Sequence, residues 1–205
     1  MDADFQAAQR YALERLRREL PPHLSYHSAD HTQKGVMREA ARLAELEGLS
    51  EPDTQLLAVA AAFHDLGFLW TTQGHELAGA RVAAQVLPDF GFGDRQIERV
   101  MGAIMATRLP QSPYNLLEAI LADADLDVLG REDFMERSLD LYRETRTLGD
   151  DVSLSDWYRR QIDFLEQHRY FTASARALKD GGKQRNLAEL RRRSSVQGNR
   201  PAVTP

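Results

Sequence analysis

Not one cysteine occurs in the 205 residues of this chain. That excludes disulfides, thiolate nucleophiles and cysteine-based zinc sites, and it suits a reducing compartment, so the cytoplasm is the expected location. No apolar run approaches the ~18 residues of a bilayer span, so no membrane is expected as a partner. The opening residues, MDADFQAAQR, carry acids early and lack an apolar stretch, which argues against a signal peptide. Neither a GxGxxG nor a GxxxxGK[ST] phosphate loop is present, so no ATPase or dinucleotide enzyme is expected. A GxSxG elbow is also missing, which removes the usual serine hydrolase. Period-two alternation, internal repeats and a linker between domains are all absent.

What remains is an ordinary globular composition, 42% hydrophobic and 28% charged, of a size that one domain can fill. The net charge of -5 is unevenly spread. From Lys179 to Pro205 there are seven Lys/Arg against Asp180 and Glu189, giving +5 and leaving -10 on residues 1–178. An acidic body of this kind is not expected to bind nucleic acid strongly. The basic end reads as a solvated, partly disordered tail over residues 179–205, following a single domain over 1–178.

The pattern is helical nearly throughout. Ala8, Ala12, Leu16 and Leu20 repeat every four residues before Pro21-Pro22 stop the helix. A second helix is expected near His31 to Glu47, stopped by Gly48. Ser50 and Pro52 open a third, whose body LLAVAAAFHD is apolar on nearly all sides and belongs at the centre of a bundle. Further helices are expected over His75 to Leu87, from Asp94 through Met105, over Tyr114 to Leu129, Arg131 to Leu148 and Ser155 to Tyr170. A short helix over Thr172 to Lys179 is expected to loosen at Gly181-Gly182, and the composition past Arg193 reads as disordered.

Against this background the pair His64-Asp65 stands out, at the deep end of the most apolar helix. Upstream lies Tyr26-His27-Ser28-Ala29-Asp30-His31 and downstream Asp123-Ala124-Asp125. Imidazole and carboxylate in the order His, His-Asp, Asp suit one divalent ion such as Mn, Fe, Co, Ni, Zn or Mg. A His and an Asp near an apolar core are costly to hold unless something binds them. Three packed helices can aim such side chains into one pocket.

These blocks resemble the HD-domain superfamily of metal-dependent phosphohydrolases, over roughly residues 22–130. The chain is similar to members with a Tyr-His-x3-His-Thr opening, here Tyr26 to Thr32. Ala62-Phe63-His64-Asp65-Leu66-Gly67, His75-Glu76-Leu77-Ala78-Gly79-Ala80, Ala106-Thr107-Arg108 and Asp123 to Gly130 follow in the family's order. The resemblance implies an all-α HD-domain bundle with the metal between its central helices. It implies His31, His64, Asp65 and Asp125 as ligands. The Asp-x-Asp run leaves Asp123 as the other choice, and otherwise places it beside the ligands. His27, by its likeness to the first histidine of cyclic-nucleotide phosphodiesterases, is implied as the general acid. Some members hold two metals with extra histidines. His75 matches one of these positions, but Ala106 stands near the other, so one ion is expected and His75 sits beside it.

The chemistry expected is attack by water on phosphorus, with Asp65 orienting that water and His27 protonating the leaving oxygen. Lys34, Arg38 and Arg108 are the expected cationic contacts to substrate. The substrate expected is a small phosphorylated molecule, a nucleotide above all, and oligomerisation stays open. The rival reading is a non-catalytic nucleotide-binding or regulatory module with a structural metal. A third is a helical interaction protein in which these motifs coincide by chance.

Overall fold

In a computed structural model that describes residues 3–198, the chain is all helical. Among the described residues there are nine α-helices: α1 Phe5–Glu19, α2 Met37–Leu46, α3 Glu51–Phe63, α4 His75–Val86, α5 Asp94–Ala106, α6 Leu116–Asp125, α7 Phe134–Thr147, α8 Leu154–Gln167 and α9 Ala173–Gly198. Short 3₁₀ turns cover Leu66–Leu69, Leu87–Phe90 and Asp127–Gly130, and a π-helical turn, His31–Val36, leads into α2. No described helix is long and apolar enough to cross a membrane.

Helix α3 is the axis of the bundle. Ser50 Oγ accepts from Asp53 N–H at its start, and Pro52 occupies the first turn, where a missing N–H costs nothing. From Leu56 to Phe63 every residue is apolar, and Leu57, Val59, Ala60, Ala61, Ala62 and Phe63 are all buried. Helices α1, α2, α5 and α6 pack around it. Burying Phe63 alone contributes about 2–3 kcal/mol. The polar pair His64-Asp65 therefore emerges inside the core, where water cannot satisfy it.

Gly67 explains how α4 reaches this point. A Cβ at residue 67 would lie 1.9 Å from the His75 carbonyl oxygen and 2.9 Å from the Gly79 nitrogen. Only glycine lets the start of α4 seat against the turn after His64-Asp65.

The expected break at the C-terminal end does not occur. The chain stays helical through Gly181-Gly182 to Gly198, and α9 packs on α8 and on the turn Asp127–Gly130. Gly182 is where α9 and that turn meet, since a Cβ there would lie 1.9 Å from the Gly130 carbonyl oxygen. Leu187 and Leu190 are buried, and Asn186 Nδ2 donates to the carbonyls of Leu129 and Arg131 at 2.9 and 2.8 Å. Two of the basic residues expected in solvent are buried instead: Lys179 pairs with Asp127 and Glu39, and Lys183 donates to the His168 carbonyl at 2.7 Å. The boundary expected at residue 179 thus falls inside a packed helix. Residues 199–205, part of the expected disorder, lie outside the described residues.

Candidate metal centre

Three separate segments deliver the candidate ligands. His31 opens the π-helical turn, His64 and Asp65 end α3, and Asp125 is the last residue of α6. A π-helical turn widens the backbone locally and recurs at functional sites, which suits the aim of His31. One ligand atom each from His31, His64 and Asp65 lies within 4.8 Å of the others. His64 Nε2 sits 3.1 Å from Asp65 Oδ2 and 3.4 Å from Asp125 Oδ1. His31 Nε2 sits 3.8 and 4.0 Å from the same two oxygens. Ligands held at ~2.0–2.2 Å from one small ion stand roughly 3–4 Å apart, and these spacings match.

The residues fit a cation on two further counts. His64 Nδ1 donates to the Ala61 carbonyl at 2.8 Å, which leaves the lone pair on Nε2. Yet His64 Nε2 and Asp65 Oδ2, 3.1 Å apart, are both buried with no hydrogen-bond partner among the described residues. A buried acceptor pair left unmatched costs several kcal/mol unless a positive charge joins it.

Charge in the site is set by burial and by the two carboxylates. Burial holds the His31 imidazole down to about 4, against the pull of Asp65 and Asp125. At His64 burial acts the same way, but the nearer carboxylates outweigh it and raise that ring well above the ordinary imidazole range. Asp65 is lowered despite burial, because His64, His27 and His31 surround it.

Next to these groups, His27 is held by a residue that the sequence did not point to. Glu144, on α7 and 1% exposed, accepts from the Tyr26 and His27 backbone N–H groups at 2.8 and 3.1 Å. Its other oxygen pairs with His27 Nδ1. Burial lowers the basicity of His27, but the bond to Glu144 and the charge on Asp65 override it and raise the imidazole above its ordinary value. Glu144 is lowered in turn, burial being outweighed by His27. The available signal was the placement of Glu144 in register with Phe134, Ser138 and Leu141, an acid on the inward stripe of α7. Phe68, also unforeseen, stacks on the His27 ring and on the His75 ring, with centroids 4.0 and 3.9 Å away.

His75 stands near the centre, with Nε2 3.8 Å from Asp65 Oδ1. Asp123 does not. Its carboxylate accepts from Phe171 N, Thr172 N and Thr172 Oγ1 at 2.7–2.8 Å, so it anchors the entry to α9 and faces away from the histidines. Of the two acids in the Asp-x-Asp run, Asp125 is the one beside His31 and His64. The three expected cations are not brought to the centre either. Lys34 is exposed and pairs with Asp30 at 2.8 Å, Arg38 is exposed on α2, and Arg108 lines a separate depression with Tyr114 and Glu118. Lys34 and Arg38 sit on the solvent side of the π-helical turn and of α2, and Arg108 lies in the bend after α5. Arg131 and Arg137 instead line a small cleft with His31 and Asp125.

The HD domain model matches residues 30–127, the span from the His31 turn to just past Asp125. That region of the chain is an HD domain. Among curated proteins no sequence matches the chain. Two solved structures share its fold. Bacillus subtilis YpgQ in complex with ADP is 18% identical with a TM-score of 0.63, covering 98% of this chain and 100% of its own. A structural-genomics protein from Lactobacillus plantarum is 17% identical with a TM-score of 0.65, covering 94% and 97%.

Proposed function

We propose that this chain is a metal-dependent phosphohydrolase that cleaves a small phosphate compound, with one divalent ion held by His31, His64, Asp65 and Asp125. The observation that carries the reading is the buried, unpartnered pair His64 Nε2 and Asp65 Oδ2, flanked by His31 and Asp125. A bound divalent ion supplies a water of lowered pKa and neutralises phosphoryl charge. The chain's own residues do the rest. Asp65 orients the attacking water through its free oxygen. His27, made more basic by the grip of Glu144 on Nδ1, gives the Nε2 proton to the departing oxygen. Phe68 packs against both imidazoles, His27 and His75, on the cavity side of the centre.

A purely structural metal would leave the buried Glu144–His27 pair without a task, which is why the catalytic reading is favoured over a regulatory module. The HD domain superfamily and the ADP bound in YpgQ put nucleoside phosphates first in a substrate screen. The test is direct. His64→Ala and Asp65→Ala should each lose the metal that the parent retains through gel filtration. His27→Ala should keep its metal and lose 10²–10⁴ in kcat on whichever phosphate the parent turns over with Mn, Co, Ni, Mg or Zn. Unchanged metal content in the first two variants overturns the site, and full activity in the third overturns the acid.

A further inference from the structure

The cavity beside the centre has two unlike sides, and they decide which group departs from phosphorus. It encloses about 320 Å³. His27, His75, Asp65 and Asp125 stand at one end, and Phe68, Leu126, Phe134, Leu141 and Phe164 form much of the wall. Among the described residues no lysine or arginine lines it, and its other charged group is the acid Glu76. The two arginines near the centre, Arg131 and Arg137, line a cleft of about 20 Å³ that shares His31 and Asp125 but not His27.

We propose that the departing group is an uncharged, ring-bearing alcohol seated in the 320 Å³ cavity, so that the substrate is a phosphate ester and not a phosphoanhydride. This rests on the phosphohydrolase reading above. In-line displacement puts the entering and leaving oxygens on opposite faces of phosphorus. His27 lines the cavity, its Nδ1 is taken by Glu144, and Nε2 is the proton it has to give. The leaving oxygen must therefore lie on the cavity side. A departing phosphate or pyrophosphate would carry at least two negative charges into an apolar wall edged by carboxylates, with no described lysine or arginine there to receive it. An uncharged alcohol meets no such penalty and buries its ring against Phe134 and Phe164. The phosphoryl group stays on the side of Arg131 and Arg137.

The step balances without a further reactant. A water oxygen bonds to phosphorus, the P–O bond to carbon breaks, and its electron pair goes to the leaving oxygen. That oxygen takes the proton of His27 Nε2. One water proton remains on the phosphate product, and the other is released to solvent, from which His27 is recharged.

The experiment compares esters with anhydrides on the Mn²⁺-loaded full chain in ¹⁸O-water, using 4-nitrophenyl phosphate, AMP and cyclic AMP against ADP and ATP. The expected result is a kcat/KM for the best ester at least tenfold above that for either anhydride, with label in the phosphate that leaves the ester. Gln161→Lys adds a cation to the cavity wall and should shrink that ratio at least fivefold. A binding measurement stands apart from turnover: adenosine alone should bind the metal-free protein, and Phe164→Asp should weaken it at least tenfold. Preference for ADP or ATP, or adenosine binding untouched by Phe164→Asp, overturns the proposal. Silence with all five compounds and every metal overturns the phosphohydrolase reading itself, and this proposal with it.

Discussion

Glu144 is nearly inaccessible to solvent, yet it is held ionised by two backbone N–H donors and one imidazole. That arrangement makes the loop at Tyr26-His27 conditional on charge. Glu144 is lowered from its ordinary 4.5, so its contribution is present above that value and fades as pH falls through its folded pKa. His27 is raised from 6.5, so its contribution is complete below that value and fades as pH rises through its folded pKa. The pair therefore stabilises the fold most between about pH 4.5 and 6.5. For Glu144→Gln we expect a loss of roughly 1–3 kcal/mol in that window, shrinking on either side. The same variant should move the alkaline limb of the kcat profile to lower pH, because His27 then holds its proton less tightly. Urea unfolding of the chelated proteins across pH 3–9 checks the first part, and pH–rate profiles check the second. A loss that is flat with pH, or an unmoved limb, overturns the role given to Glu144.

At the level of elements, the two close helix contacts turn on glycines that look alike in sequence and differ in space. Gly182 faces the Gly130 carbonyl, with 1.9 Å available to a Cβ, whereas a Cβ at Gly181 would meet its nearest neighbour, Arg185 Nη1, at 3.7 Å. Gly182→Ala should therefore push α9 off the turn Asp127–Gly130 and cost at least about 2 kcal/mol. Gly181→Ala should stabilise α9 by about 0.5–1 kcal/mol, since alanine loses less backbone entropy in a helix. Thermal melts of the two variants settle the contrast, and equal effects would refute the packing of α9. The same glycines mark the limit of what the sequence made legible. Helices α1 to α8 followed from apolar periodicity and stop signals, and the resemblance pointed to His31, His64, Asp65 and Asp125, which the fold brings close together while Asp123 turns to Thr172. A Gly-Gly pair among lysines and arginines reads as a loosened, solvated end because close backbone approach leaves no trace in local pattern. Glu144 was hidden for a similar reason: its partner lies 117 residues away. Lys34, Arg38 and Arg108 stand away from the centre, and position along the chain alone does not fix which way such side chains turn.

For the molecule as a whole, α9 matters because it ties together the two segments that carry His31 and Asp125. Lys179 reaches Glu39 on α2 at 3.0 Å and also pairs with Asp127, two residues beyond Asp125. All three side chains are buried. Burial raises the Asp127 carboxyl, and Lys179 opposes that rise. The helix continuing from His31 and the turn following Asp125 thus share one buried cation. Lys179→Met keeps the length of the side chain and removes the charge. It should leave two buried carboxylates without their cation and destabilise the fold by about 3–5 kcal/mol. Because the strain falls on both ligand-bearing segments, affinity for Mn²⁺ should drop as well, under conditions where the variant is still folded. Adding Glu39→Gln and Asp127→Asn to Lys179→Met removes the stranded charges and should restore much of the stability. Urea midpoints for the three proteins, with Mn²⁺ titrations at low temperature, make the comparison. If Lys179→Met melts within 1 kcal/mol of the parent and binds Mn²⁺ as tightly, the C-terminal helix is a bystander to the centre rather than its support.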